Sequence, residues 1–173
     1  MKNMKFIGYT GGTIDVFDNV IVQEGASFTA PALTKAGNVI VREGGNFIAP
    51  ALTEVSGYVI VRKGGNFTAP ALTKISGYVI VQEGASIIAP ALTKAGNVYV
   101  REDASIIAPA LTWVSGNVYV REDASFTAPM LAEVSGNVYV QPGAKFTAPM
   151  LTKADNVIVR EGGNLTAPKL NQK

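Results

Sequence analysis

The chain has 173 residues, a formal net charge of +2 at pH 7, 16% charged residues, and neither cysteine nor histidine. That composition excludes disulfide stapling, thiolate chemistry and the common zinc sites, and it lacks the one-sided basic charge of a nucleic-acid binder. No stretch approaches a transmembrane helix, and the lysines near the N-terminus are followed by no apolar run of the kind a secretory signal carries. The expected compartment is therefore the cytoplasm, with extracellular and virion locations left open, and neither membrane nor nucleic acid is expected as a partner.

The elements are copies of one unit, written most clearly as SGYVIVRKGGNFTAPALTKI from Ser56 to Ile75. Residues 1–18 read as a degenerate capping coil. Ile14 falls in the slot of Leu33, Phe17 in that of Ala36, Asp18 in a glycine slot, and Gly12 replaces the proline. Residues 19–173 hold the regular repeats and end in a polar cap, where Lys169 takes an alanine or methionine slot and Lys173 a valine or isoleucine slot. Charge on a terminal coil blunts an open strand edge.

Between the caps the prolines at 31, 50, 70, 90, 109, 129, 149 and 168 are separated by 19, 20, 20, 19, 20, 20 and 19 residues. Every third copy has lost one residue, so a larger unit of 59 residues is superimposed. Repetition at such a period is the signature of a stacked repeat architecture.

Within a copy, Val59 and Val61 alternate with Tyr58, Ile60 and Arg62, which predicts a strand with its valines inward. The break after it holds Gly25, Gly44, Gly64, Gly84, Asp103, Asp123, Gly143 and Gly162 at one slot. Glycine replaced only by aspartate predicts a left-handed backbone there. The column Gly37, Gly57, Gly77, Gly96, Gly116, Gly136 and Asp155 predicts a second corner by the same reasoning. Phe67-Thr68-Ala69 reads as a second short strand, Pro70 as a bend, and Leu72 and Ile75 as a return to the core.

One copy buries too few apolar side chains to offset the entropy of ordering it, so each coil must stack on the next with its strands paired in parallel. The fold expected is all-β: a single right-handed parallel β-solenoid of about eight coils, 19–20 residues each, with degenerate terminal caps.

The candidate surface is the outward side of the first strand, where Ile21, Ile40, Ile60, Ile80, Tyr99, Tyr119, Tyr139 and Ile158 share a column. Arg42, Arg62, Arg101, Arg121 and Arg160 run on one side of it with intervening glutamines, and asparagines with Tyr58 and Tyr78 run on the other. Exposed Ile and Tyr flanked by Arg have the composition of a protein interface, although the same residues stacked in register also stabilise a sheet. Most of these arginines have a glutamate beside them, as in Arg42-Glu43 and Arg121-Glu122, which suggests local neutralisation. Trp113 interrupts a column of lysines and glutamates, so it is expected to be exposed and to serve as an interaction hot spot whose patch takes in Met130 on the next coil.

Glu102-Asp103 and Glu122-Asp123 fall on neighbouring coils, yet no loop supplying backbone ligands accompanies them, and no metal is assigned. Threonines 34, 53, 73, 93, 112 and 152, and separately 29, 68, 127, 147 and 166, read as ordinary ladders. No paired acid and base and no activated nucleophile is visible, so no enzyme activity and no cofactor are expected.

The run Leu131-Ala-Glu-Val-Ser-Gly-Asn-Val-Tyr-Val, followed by Phe146-Thr-Ala-Pro-Met-Leu151, resembles the repeats of receptor L domains and Ecm33-like fungal wall proteins. It is also similar to repeat proteins of gut bacteria and their phages. The resemblance implies a right-handed solenoid of leucine-rich-repeat character without catalytic machinery. The function expected is a non-enzymatic protein-interaction or structural scaffold. The alternatives are a phage- or bacterium-encoded inhibitor that blocks a host protein and a glycan-binding β-helix, and self-association through the strand face or the coil ends is a further expectation.

Overall fold

The structure is a computed structural model that describes residues 3–6 and 16–170, with side chains from Asp18 onward. Among the described residues there is no helix, and every strand pairs with its neighbours in parallel. The chain is a parallel β-solenoid of about seven turns, built from one 14-stranded and one eight-stranded sheet.

The central coils each carry three short extended runs. In the coil that begins at Glu54 these are Glu54–Val55, Val59–Val61 and Asn66–Thr68. The first two belong to the larger sheet and the third to the smaller. Pairing joins identical slots of successive copies: Ile60 lies opposite both Ile40 and Ile80, and Phe67 opposite both Phe47 and Ile87. The repeat period thus becomes a spatial column, as the sequence predicts. At the N-terminal end Asn3–Phe6 pairs with Val16–Val22, and Phe17 lies opposite Ala36. The assignments made for Ile14, Gly12 and Lys173 lie outside the described residues.

The inward set is as expected. Val59, Val61, Phe67, Ala69, Leu72 and Ile75 are all buried, and their counterparts form one continuous core from Val20 to Leu151. Phenylalanines stack within it: Phe28 on Phe47 at 5.5 Å, Phe47 on Phe67 at 5.3 Å, and Phe126 on Phe146 at 5.0 Å between ring centroids. The core thins at the far end. Val159, whose counterpart Val140 is fully buried, is 41% exposed, and Leu165, Ala167 and Leu170 are only half-buried.

The two glycine columns differ in kind. All eight residues of the first column have φ between 56° and 81°, aspartates included. The Gly65 N–H donates to the Arg62 carbonyl at 2.8 Å, so residues 62–65 form a turn whose third residue needs a positive φ. Proline serves a separate bend, where the Leu72 N–H donates to the Ala69 carbonyl at 3.2 Å.

The second column corrects the sequence reading, because none of its residues has a positive φ. In the coil of Lys35–Val41 the chain runs straight through Gly37 as one seven-residue strand. These glycines answer to close stacking instead. A Cβ added at Gly57 would collide with Asn38 Oδ1 and come within 2.8 Å of the Gly37 carbonyl oxygen, and one at Gly77 would lie 2.6 Å from the Gly57 carbonyl oxygen.

Candidate binding face

The larger sheet carries the candidate face on its outer side. Alternation along Val59–Val61 turns the valines inward and leaves Ile60 half-exposed, and in-register pairing extends that slot along the rod. Ile80 lies opposite Tyr99, Tyr99 opposite Tyr119, and Tyr119 opposite Tyr139. The tyrosine rings stack face to face: centroids are 5.0 Å apart for Tyr99–Tyr119 and 4.7 Å for Tyr119–Tyr139, with planes within 5°. Burial, and then the neighbouring Tyr139 and Tyr99 hydroxyls, pushes the Tyr119 phenol above its ordinary pKa.

Asparagines line one side of this column and form a ladder. Asn38 Nδ2 donates to Asn19 Oδ1 at 2.7 Å, the Asn137 N–H donates to Asn117 Oδ1 at 2.8 Å, and Asn156 Nδ2 donates to Asn137 Oδ1 at 2.8 Å. Tyr58 and Tyr78 interrupt the ladder and stack on each other at 4.9 Å with parallel planes. The asparagines therefore serve the fold, satisfying main-chain and side-chain donors from coil to coil.

On the other side Arg42, Arg62, Arg101, Arg121 and Arg160 are all exposed. Local neutralisation by the adjacent acids does not occur: among the described residues the ion pairs within 4.0 Å use lysine, never arginine. Arg42, Arg101, Arg121 and Arg160 each stand just past the end of a strand, and the glutamate that follows sits on the turn, whereas Arg62 is followed by Lys63. Tyr119, Val120, Arg121, Tyr139 and Gln141 enclose a shallow depression of about 130 Å³.

Trp113 is 37% exposed, as its charged column predicts. It is not a free ring. Its Nε1 donates to Ser135 Oγ at 2.9 Å, and the Lys94 ammonium sits 5.8 Å from the ring centroid. Met130, on the next coil, is 53% exposed. The rest of that column is an ion ladder in which Glu54 bridges Lys35 at 3.6 Å and Lys74 at 3.3 Å, while Glu133 holds Lys153 at 2.7 Å.

The remaining candidates gather into no site. Threonines 53, 73, 93 and 112 donate their hydroxyls to carbonyl oxygens of the preceding coil at 2.9–3.1 Å. Asp103 and Asp123 occupy the positive-φ slot, and Glu122 Oε2 is shielded from solvent without a partner. Among the described residues no three acidic side chains converge as a metal site requires. The interruptions of the second threonine column include an exposed apolar pair, Ile88 and Ile107, opposite each other on the smaller sheet and 41% and 45% exposed. Both replace threonine in an outward slot.

The architecture and the surface define a parallel β-solenoid repeat protein with an apolar, aromatic and cationic stripe on one sheet. Comparisons with protein-family models, with curated proteins and with solved structures return no match.

Proposed function

We propose that the protein is a non-enzymatic interaction scaffold that holds a protein partner on the Ile60, Ile80, Tyr99, Tyr119, Tyr139 stripe and its flanking arginines. The observation that carries this reading is the stripe itself: half-exposed apolar and aromatic side chains in register along several coils, beside guanidinium groups that no acid among the described residues neutralises. Stacking alone accounts for a ladder of rings, but it gives no reason for a parallel row of unpaired arginines. Aromatic residues with arginine are the composition that dominates contact energy at interfaces.

The stacking geometry favours a protein partner over a glycan. Sugars dock on the open face of an aromatic ring, whereas Tyr99, Tyr119 and Tyr139 cover one another's faces and present edges and hydroxyls. The resemblance to receptor L-domain and Ecm33-like repeats supports the same scaffold role. A narrower version casts the protein as a phage- or bacterium-encoded inhibitor whose partner is a host protein.

The test is affinity capture with the full chain, comparing the parent with a Tyr99→Ser/Tyr119→Ser/Tyr139→Ser variant, with crosslinks mapped on the bait. A partner recovered by the parent, crosslinked to the stripe and lost from the variant is the expected result. Equal recovery by both, or crosslinks confined to the smaller sheet, contradicts the proposal.

A further inference from the structure

Resting on the binding-face reading, we infer that the arginine row selects an extended acidic segment of the partner that lies along the solenoid axis with carboxylates four residues apart. The row reads Gln23, Arg42, Arg62, Gln82, Arg101, Arg121, Gln141, Arg160, so the 59-residue super-repeat divides it into arginine pairs on adjacent coils separated by a glutamine. Adjacent strands lie about 4.8 Å apart, close enough for two guanidiniums to share one carboxylate. Because none of these arginines is engaged by an acid among the described residues, both members of each pair can do so. Arginine is suited to that task through its fixed fork of donors.

The spacing sets the partner's pattern. Three coils separate the Arg42–Arg62 pair from the Arg101–Arg121 pair, roughly 14 Å. An extended chain advances about 3.4 Å per residue, so four residues cover that distance. Residues i and i+4 of an extended chain project to the same side, with i+2 between them opposite Gln82. Hydroxyls at the edges of the tyrosine stack and the depression beside Arg121 and Gln141 offer further contacts to the same segment.

The acids on the neighbouring turns determine the kind of anion. Glu43, Glu102 and Glu122 stand one residue beyond their arginines, and Glu43 and Glu102 are exposed. A densely charged polyanion such as DNA or heparin would meet that acidic row as well as the basic one. Carboxylates spaced along a peptide can meet the arginines alone.

The experiment titrates the full chain with fluorescein-labelled, threonine-rich decapeptides carrying two glutamates four apart. Controls are glutamates three apart, glutamines in place of both, a 20-base-pair DNA and heparin. The four-apart peptide is expected to bind at least about tenfold more tightly than the glutamine or three-apart peptide, since a charge-assisted contact is equivalent to about a factor of ten or more. Binding should weaken with salt, and should fall about tenfold in Arg101→Gln/Arg121→Gln, but not in Lys63→Gln. The mutated arginines are exposed and their side chains form no ion pair among the described residues, so an unchanged circular dichroism spectrum is expected for the double variant. No binding at about 1 mM peptide, equal binding of the three-apart peptide, or equal or tighter binding of DNA or heparin overturns the inference. If the peptide fails while the tyrosine variant still loses a captured protein, this inference falls and the binding face stands; if both fail, both fall.

Discussion

Trp113 Nε1 donates to Ser135 Oγ at 2.9 Å across two columns of adjacent coils, while Lys94 from the coil on the other side places its ammonium over the indole. One ring thus links three successive coils at the point where the ion ladder lacks an acid to receive Lys94. Trp113→Ala is expected to lower stability by about 1 kcal/mol, the sum of a surface hydrogen bond and an exposed cation–π contact. Ser135→Ala should reproduce part of that loss. Chemical denaturation followed by circular dichroism measures both, and an unchanged midpoint in Trp113→Ala contradicts this role.

The two glycine columns give the sharpest mutational contrast. Gly64 has φ of 62° and open space around a notional Cβ, so only its backbone conformation resists substitution. Gly64→Ala should cost about 1–2 kcal/mol and Gly64→Asn much less, because asparagine tolerates the left-handed region. At Gly57 the obstacle is the neighbouring coil, and alanine and asparagine should both be disruptive, by about 2 kcal/mol or more. Rescue by asparagine at Gly57 would refute the close-stacking explanation.

Burial predicts a gradient along the rod. Val100→Ala removes two methyl-sized groups from a fully buried slot and should cost about 2 kcal/mol or more. Val159→Ala, in the same column but 41% exposed, should cost less than about 1 kcal/mol. Equal losses in urea melts would mean that the terminal coil is as well covered as the middle ones.

Alkaline pH should weaken the fold by two routes with the same sign. The Tyr119 pKa lies above its ordinary 10.0, through burial first and its tyrosine neighbours second, so the unfolded chain gives up this proton before the folded one. Its contribution is full below pH 10 and declines as pH rises beyond it. Lys63 is raised above 10.5 by its hydrogen bond to Glu83 and then by that carboxylate's charge. That contribution is intact below pH 10.5 and disappears as pH climbs through the raised folded value. Melting temperature should be flat from pH 7 to 9 and fall above 10. Tyr119→Phe, which keeps the ring stack, should fall less steeply; an identical slope contradicts the assignment.

Much of this fold was legible because the repeat converts a sequence period directly into a spatial column. The inward valines, Phe67, Leu72 and Ile75 followed from alternation, and the positive φ at Gly64 and Asp103 followed from glycine exchanging only with aspartate. Gly57 was misread because glycine answers to two unrelated demands, backbone freedom and absence of a Cβ, and the letter alone does not separate them. Arg42-Glu43 was misread because sequence adjacency does not bring two side chains together at the end of a strand. The Trp113–Ser135 bond was not legible, since its partners lie 22 residues apart and in different slots of the repeat.

The stripe is continuous only if coils advance by one strand spacing with their slots in register. The chain has no cysteine of its own, so paired spin labels can be placed at will. Pulsed electron–electron resonance on labels at 42 with 121, 141 and 160 spans four, five and six coils. The expected mean distances are about 19, 24 and 29 Å, rising by about 4.8 Å per coil. Distances that fail to rise in equal steps, or that shorten from 141 to 160, would contradict the stacked solenoid and the binding face drawn on it.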